Sequence, residues 1–222
     1  MNLSYPARRI AILTVLAASA TFASAQAGGE FRNSMAENSQ KLKQYTYLQK
    51  TEVYLKGELK STKLDQVHYD ATTGEKVTVP LTSPPPEQSG RRLGHRMVEK
   101  KKDEMKEYVE RLVGMMGQYL PPNPDRVKAA WPRAQITPPS NGVAKIALNG
   151  YLKPGDVMNL SFNTETKHLT QILVNSKLDD DPVSYLVSFS TLPDGTNYPA
   201  LTSIQSQAKN LEIRVKTSDY HK

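Results

Sequence analysis

The side chains that could perform chemistry are few in this sequence and are widely spaced. The sequence has four histidines, which are His68, His95, His168 and His221. None of them lies at a spacing from another that is typical of metal ligands. His95 and Glu99 are four residues apart and could share one face of a helix, but no second ligand pair lies nearby. A solvated helical pair is the favoured interpretation, and no metal site is predicted.

The remaining candidates for catalysis are equally weak. Asp179, Asp180 and Asp181 could suggest calcium, but a calcium loop needs spaced oxygen ligands and usually a turning glycine. Three consecutive acids before Pro182 are more typical of a solvated loop. The sequence has no G-x-S-x-G, H-E-x-x-H or P-loop motif, and the absence of cysteine excludes thiol chemistry. We therefore predict no catalytic residues and no cofactor, and we do not expect an enzyme.

The N-terminal residues 1–25 predict a secretory signal peptide. Arg8 and Arg9 precede the apolar run Ile10–Ala23. This run is about 14 residues long, whereas a membrane-spanning helix needs about 20, so a membrane anchor is the weaker interpretation. Small residues place the cleavage site after Ala25, with Ala27 as the second choice. We therefore expect an exported, periplasmic protein that relies on a hydrophobic core, because no disulfide can form.

The mature chain is long enough for one full-sized domain. We expect a single domain over residues 26–222, with a helical insertion at about residues 90–131. The formal net charge is +7 for the whole sequence. It falls to about +5 when Arg8 and Arg9 are removed with the signal peptide. This basic excess could favour an anionic membrane surface or an anionic ligand, but an ordinary solvated surface is the favoured explanation. No basic stripe with interleaved aromatics is present, so nucleic acid is not an expected partner.

Alternating apolar and polar residues predict strands in two parts of the chain. Between Tyr45 and Leu81, turns at Gly57 and at Asp70–Gly74 divide the alternation into a three-strand meander. Short turns separate the later runs, which are residues 143–148, 157–162, 169–178, 183–189, 198–207 and 211–217. Because short turns require antiparallel neighbours, we predict one antiparallel sheet of about nine strands.

Two helices are available to cover the apolar face of this sheet. A short helix is predicted over Gly28–Lys43, and a strongly amphipathic helix over about Leu93–Leu120. Linkers that contain proline, Thr82–Gly90 and Thr137–Gly142, are predicted on either side of the long helix. A short helical turn is expected at Asp125–Trp131. The predicted fold class is therefore α+β, a curved antiparallel sheet covered by one long amphipathic helix and a short N-terminal helix.

Two groups of side chains could line a cavity between the sheet and the long helix. Methionines on the helix adapt to irregular apolar ligands, and aromatic residues point to the apolar face of the sheet. A curved sheet that its helices do not fill would leave an apolar cavity, although core packing is the alternative for each residue. The predicted lining residues are Tyr45, Tyr47, Met97, Met105, Leu112, Met116, Phe162, Tyr185 and Phe189.

The order of these elements resembles a known family. A short helix leads to the segment NSQKLKQYTYLQKTEVYLKGELKS with its aromatic first strand, and a helical excursion and a long closing meander follow. This pattern, over residues 28–81 and 143–217, is similar to periplasmic lipoprotein carriers of the LolA type and their LppX-like relatives. The resemblance implies a half-barrel with helices as a lid over an apolar cavity, the binding of acyl chains or other apolar envelope molecules, and a role in outer membrane biogenesis. No ligand-contacting residue of the family can be matched to a position here.

Three functional hypotheses follow from the sequence. The first is a periplasmic half-barrel that binds or carries an apolar or lipidic ligand beneath a long helix that moves at Thr82–Gly90 and Pro121–Pro124. The second is an envelope protein-interaction module with a filled core and no ligand. Its charged helix face, or an edge strand at Leu211–Thr217, would meet a partner protein. The third is a hydrolase with a dispersed Ser, His and carboxylate, which no motif supports.

Overall fold

The computed structural model describes residues 35–82 and 95–222. The predicted signal peptide, most of the predicted linker Thr82–Gly90 and the side chain of Met97 lie outside the described residues. The predictions made for these parts of the chain remain predictions.

Ten strands form one open, curved sheet in which all neighbouring strands are antiparallel. In chain order they are β1 (Thr46–Leu55), β2 (Glu58–Tyr69), β3 (Lys76–Pro80), β4 (Gln135–Ser140), β5 (Val143–Asn149), β6 (Val157–Asn163), β7 (Leu169–Leu178), β8 (Asp181–Thr191), β9 (Asn197–Ser206) and β10 (Leu211–His221). Their order across the sheet is β3-β2-β1-β10-β9-β8-β7-β6-β5-β4. The pairing of β1 with β10 therefore joins two meanders into one sheet.

The structure confirms the antiparallel sheet and corrects two details of it. The interval Thr137–Gly142, predicted to be a linker, lies largely in β4, which pairs with β5. Prolines are tolerated there because β4 is an edge strand and its register shifts between Thr137 and Ser140. The predicted edge at Leu211–Thr217 is also wrong, because β10 pairs with β1 on one side and with β9 on the other. The alternation of apolar and polar residues predicts where a strand lies in the sequence, but it does not predict which strands pair with it.

Three helices accompany the sheet within residues 35–82 and 95–222. Helix α1 is described over residues 35–42, α2 spans His95–Met116, and α3 spans Pro124–Ala130 before a short 3-10 turn at Trp131–Arg133. Helix α2 ends before the predicted Leu120, and two prolines follow at positions 121 and 122. Helix α3 confirms the predicted helical turn. Its start is capped by the Asn123 side chain, which accepts hydrogen bonds from two backbone N–H groups.

The second half of α2 packs its apolar stripe against the sheet. The buried residues in and just after this half are Tyr108, Leu112, Met115, Met116 and Tyr119. They join one core cluster with inward-facing strand residues, among them Leu148, Met158, Leu160, Ile172, Val174 and Val187. Leu112 is 0% exposed and Met116 is 1% exposed. The space beneath this part of α2 is therefore filled by side chains.

Hydrogen bonds anchor this part of the chain at one end of the sheet. The Tyr108 hydroxyl lies 2.7 Å from the Ser206 hydroxyl at the end of β9. The Tyr119 hydroxyl donates to the buried carboxylate of Asp156, which also accepts a hydrogen bond of 2.5 Å from the Ser176 hydroxyl. Asp156 precedes β6, and Ser176 is near the end of β7. The anchor therefore lies at the end of the sheet where β6, β8 and β10 begin.

The anchor can be tested by removing one hydroxyl group. Tyr119→Phe keeps the ring but takes a donor from the buried Asp156 carboxylate, so the free energy of unfolding should fall by about 1–3 kcal/mol. Tyr54→Phe is the matched control, because the Tyr54 hydroxyl donates to Glu52 on a half-exposed part of β1. The control should change stability by less than about 0.5 kcal/mol. Urea unfolding followed by circular dichroism measures both variants, and equal losses would contradict a buried anchor.

Candidate functional site

A cleft of about 300 Å³ lies at the opposite end of the sheet from the anchor of α2. Tyr47 near the start of β1, Leu169 at the start of β7 and Phe189 near the end of β8 contribute to its lining. These strand ends meet because neighbouring strands are antiparallel. The cleft is therefore placed by the strand order, and it borders the core cluster, to which Leu169 belongs.

Apolar side chains from helix, loop and sheet make most of the lining. Helix α1 contributes Met35 and Leu42, and the segment after α2 contributes Leu120, Pro121 and Pro122. The sheet contributes Tyr47, Tyr69, Leu169, Phe189 and Pro199. The peptide bond between Leu120 and Pro121 is cis. An apolar lining with a few polar groups is typical of sites for small apolar or amphipathic ligands.

A single side chain clamps α1 over the cleft. The Asn38 side-chain amide donates a 2.7 Å hydrogen bond to the backbone carbonyl of Asn197 and accepts a 2.6 Å bond from the backbone N–H of the same residue. Asn197 in turn donates through its side chain to the Leu169 carbonyl at 2.9 Å. These bonds tie α1 to the start of β9 and β9 to the start of β7. In the described residues, α1 is thus held by these polar contacts to β9 and by Met35, which packs against the core cluster.

Stacked tyrosines form the sheet surface beside the cleft. Tyr220 lies between Tyr47 and Tyr198, with ring centroids 4.7 Å and 4.4 Å away. Burial raises the pKa of the Tyr47 and Tyr220 hydroxyls well above the usual range. Tyr45 meets the edge of the Tyr220 ring at a centroid distance of 6.1 Å. Such a stack holds β1, β9 and β10 together at the end of the sheet that carries the cleft.

Tyr45 also ties the start of β1 to the turn before β9. Its hydroxyl donates a 2.5 Å hydrogen bond to the Asp194 carboxylate, and the Lys222 ammonium lies 3.0 Å from the same carboxylate. The hydrogen bond from Tyr45, followed by those from Thr196 and Lys222, lowers the pKa of Asp194 well below its usual range. This contact fixes the start of β1, the strand from which Tyr47 lines the cleft.

Two lysines and a histidine complete the lining. Lys76 at the start of β3, and Lys167 and His168 in the turn between β6 and β7, all line the cleft. The Lys76 ammonium donates to the Gln49 side-chain oxygen at 3.1 Å. The Lys76 side chain as a whole is exposed, but neighbouring protein crowds its ammonium group and lowers the pKa, while Asp65 acts in the opposite direction. The arrangement can receive an apolar group inside the cleft and an anionic group at its edge.

The structure brings two of the nine predicted lining residues into this cleft, Tyr47 and Phe189. Leu112, Met116 and Tyr185 lie in the buried core cluster. Phe162 is half-buried and packs against that cluster. Tyr45 is buried beside the cleft, Met105 is half-buried on α2, and Met97 lies outside the described side chains. The predicted set therefore divides between the core and the cleft, and its role in ligand binding stays a prediction.

Several cleft residues were not predicted from sequence. Met35 and Leu42 lie on one face of the N-terminal helix. Their helical spacing in the sequence was the signal that could have identified them as lining residues. Leu120 to Pro122 looked only like the end of a helix. Their position in the cleft depends on where the chain leaves the anchored helix α2. No local sequence pattern predicts that position.

Other site types find little support in the part of the chain that is described. No group of three or more His, Asp or Glu side chains there could hold a metal ion. No helix within residues 35–82 and 95–222 is both long and apolar enough to cross a membrane.

Comparisons with known proteins give one similarity. No protein-family model and no curated protein matches the sequence. Among solved structures, the chain is similar to a crystal structure described as an outer membrane lipoprotein-sorting protein domain from Vibrio parahaemolyticus. The sequence identity is 9%, the TM-score is 0.39, and the match covers 85% of this chain and 90% of that one. Similarity at this level carries no conclusion about the fold or function of the chain.

The clamp on α1 predicts a local change on mutation. Asn38→Ala removes both hydrogen bonds to Asn197 and leaves part-buried backbone groups unpaired, so local opening of α1 should become easier by about 1–3 kcal/mol. Hydrogen exchange of the amides in residues 35–42 and of Asn197 measures the change. Gln40→Ala, an exposed change on the same helix, is the control. Unchanged exchange in the Asn38 variant would show that the clamp does not hold the helix.

The buried tyrosines predict a loss of stability at alkaline pH. Burial raises the pKa of Tyr47 and Tyr220 in the folded state, whereas an unfolded tyrosine ionises at about 10. The unfolded state therefore loses protons first, so their contribution to stability is complete below about pH 10 and falls as the pH rises above it.

Absorbance at 295 nm and circular dichroism should show these tyrosines ionising only as the chain unfolds. Tyr220→Phe removes one such group and should reduce the decline of stability with pH. Ionisation of all tyrosines near pH 10 in the folded protein would contradict this.

Proposed function

We propose that this protein is a non-catalytic, exported protein that binds or carries an apolar or lipidic ligand in the cleft between α1 and the sheet. The observation that carries the proposal is the position and lining of the cleft. Side chains fill the core beneath α2, whereas about 300 Å³ remains empty among apolar residues at the other end of the sheet. A cleft with this lining and volume favours the binding of an apolar ligand.

The size of the cleft limits what it can hold. Ligand sites occupy about 300–1,000 Å³, so the cleft lies at the small end of this range. One acyl chain or a compact apolar molecule suits it better than a lipid with several chains. Burial of each methylene contributes about 0.8 kcal/mol, so a single chain of moderate length supplies useful affinity.

The helices have different roles in this proposal. Helix α2 is a fixed part of a half-barrel domain over residues 26–222, because Tyr108 and Tyr119 tie it and the segment that follows it to the sheet. Helix α1 is the proposed movable cover; in the described residues it is held by the two Asn38 hydrogen bonds and by the packing of Met35 against the core cluster. The ligand would enter as α1 lifts from the start of β9. This places the movement at the N-terminal helix and not at the long helix.

The signal peptide predicted from the sequence supports a periplasmic location for this activity. The alternative function is an envelope protein-interaction module with no ligand. The filled core under α2 favours this alternative, and so does the charged first half of α2, where residues 100–104 are all exposed. The two functions differ in one measurable respect, which is whether the folded protein contains a small apolar molecule.

The first experiment is mass spectrometry of an organic extract from protein purified out of a native periplasm. A carrier should release an apolar molecule in stoichiometric amount. Leu42→Trp should abolish its retention, because the indole occupies the cleft. Val113→Trp is the matched control, because Val113 is 45% exposed on α2 and does not line the cleft.

Each outcome has a clear meaning if circular dichroism shows that the variants are folded. Loss of the molecule in the Leu42 variant alone supports the cleft as the binding site. Equal retention by both variants places the ligand elsewhere and contradicts the proposal. A clean extract from folded wild-type protein overturns the carrier and favours the interaction module.

A further inference from the structure

The charged side chains that line the cleft are lysines, and the nearby Asp65 carboxylate interacts electrostatically with one of them, Lys76. Of the residues that line it, the ionisable ones besides tyrosine are Lys76, Lys167 and His168, and no Asp or Glu is among them. The cleft lining therefore carries basic side chains without acidic ones. Elsewhere on the described surface, most ion pairs join a Lys or Arg to an Asp or Glu that is close to it in the sequence. A site with apolar walls and cationic groups at its border complements an amphiphile with a negative head group.

Lys76 is the cation best placed to meet such a head group. Its ammonium is oriented by the hydrogen bond of 3.1 Å to Gln49, which is a neutral acceptor. Asp65 lies on the neighbouring strand β2, on the same face of the sheet as Lys76, but its carboxylate is already in an ion pair with Lys63 at 2.9 Å. No ion pair involves Lys76 in the described parts of the chain. The positive charge of Lys76 is therefore held in place at the cleft without a bonded carboxylate.

The cations on the other side of the cleft come from a constrained turn. Asn163 accepts hydrogen bonds through its side chain from Glu165 and Thr166, which fixes the turn between β6 and β7. Lys167 in this turn has a φ of 60°, in the left-handed region that a long side chain adopts at a cost. The turn thus fixes the backbone from which Lys167 and His168 line the cleft, and the Lys167 ammonium adds to the positive potential there.

We propose that the ligand is a single-chain amphiphile with an anionic head group, a long-chain carboxylate, whose carboxylate is bound by Lys76. Its chain lies inside the cleft against Met35, Leu120 and Phe189, while the head group stays at the exposed edge. The inference rests on the proposed binding function and names the chemical class of its ligand. The small volume favours one chain, and the Lys76 ammonium, which is in no ion pair in the described residues, favours an acid over an ester or an alcohol.

The test compares two fluorescent probes that differ only in charge, cis-parinaric acid and its methyl ester. Wild-type protein should bind the acid at least about tenfold more tightly, because a hydrogen bond to a charged group contributes about 1.5–3 kcal/mol. Lys76→Met should remove this preference and leave the affinity for the ester unchanged. Lys76→Arg keeps the charge and should retain the preference. Lys145→Met, an exposed change on β5 away from the cleft, is the control.

The outcomes separate this inference from the proposed function. Equal binding of acid and ester by the wild type, or an equal loss of both probes in Lys76→Met, overturns the head-group assignment and leaves apolar binding intact. Binding of neither probe by folded protein contradicts the apolar site itself, and the head-group assignment falls with it. Retention of ester binding by Lys76→Met also shows that this variant is folded.

Discussion

The structure depends on the burial of the apolar stripe of α2 against the inward-facing side chains of the sheet. Burying side chains such as Leu112 and Met116 removes apolar area from water, which is the dominant stabilising contribution in a chain without disulfides. The hydroxyl of Tyr119 then reaches a buried carboxylate on Asp156, and this charge would be costly to bury without donors. Packing and polar satisfaction thus fix the second half of α2 at one end of the sheet.

The position of the cleft follows from this constraint. A helix that fills one end of a curved sheet leaves the other end to be covered by something else, and α1 covers it through Asn38. Asn38 joins α1 to β9 by two hydrogen bonds, and Met35 packs against the core cluster. In the proposed function, α1 opens to admit a ligand. The same end of the sheet carries the tyrosine stack, which packs β1, β9 and β10 together beneath α1.

Much of the fold could be predicted from local patterns. Nine of the strands lie where period-two alternation places them, because alternation reflects which face of each strand is buried. The proline-containing β4 could not be predicted this way, since only its place at the edge makes Pro138 and Pro139 tolerable. The candidate site was predicted less well. Phe189 and Tyr47 line the cleft, but Leu112, which lies on α2, fills the core.

The sequence by itself determined the period of each element, the apolar face of α2 and the absence of disulfides, because these depend on residues close in the chain. The tertiary structure decided which strands are neighbours, where the concave face is filled and which cations border the remaining space. Lys76 and Lys167 are 91 positions apart, yet they line one cleft. Such proximity results from the pairing of β1 with β10 and from the packing of α2, and no local pattern in the sequence contains it.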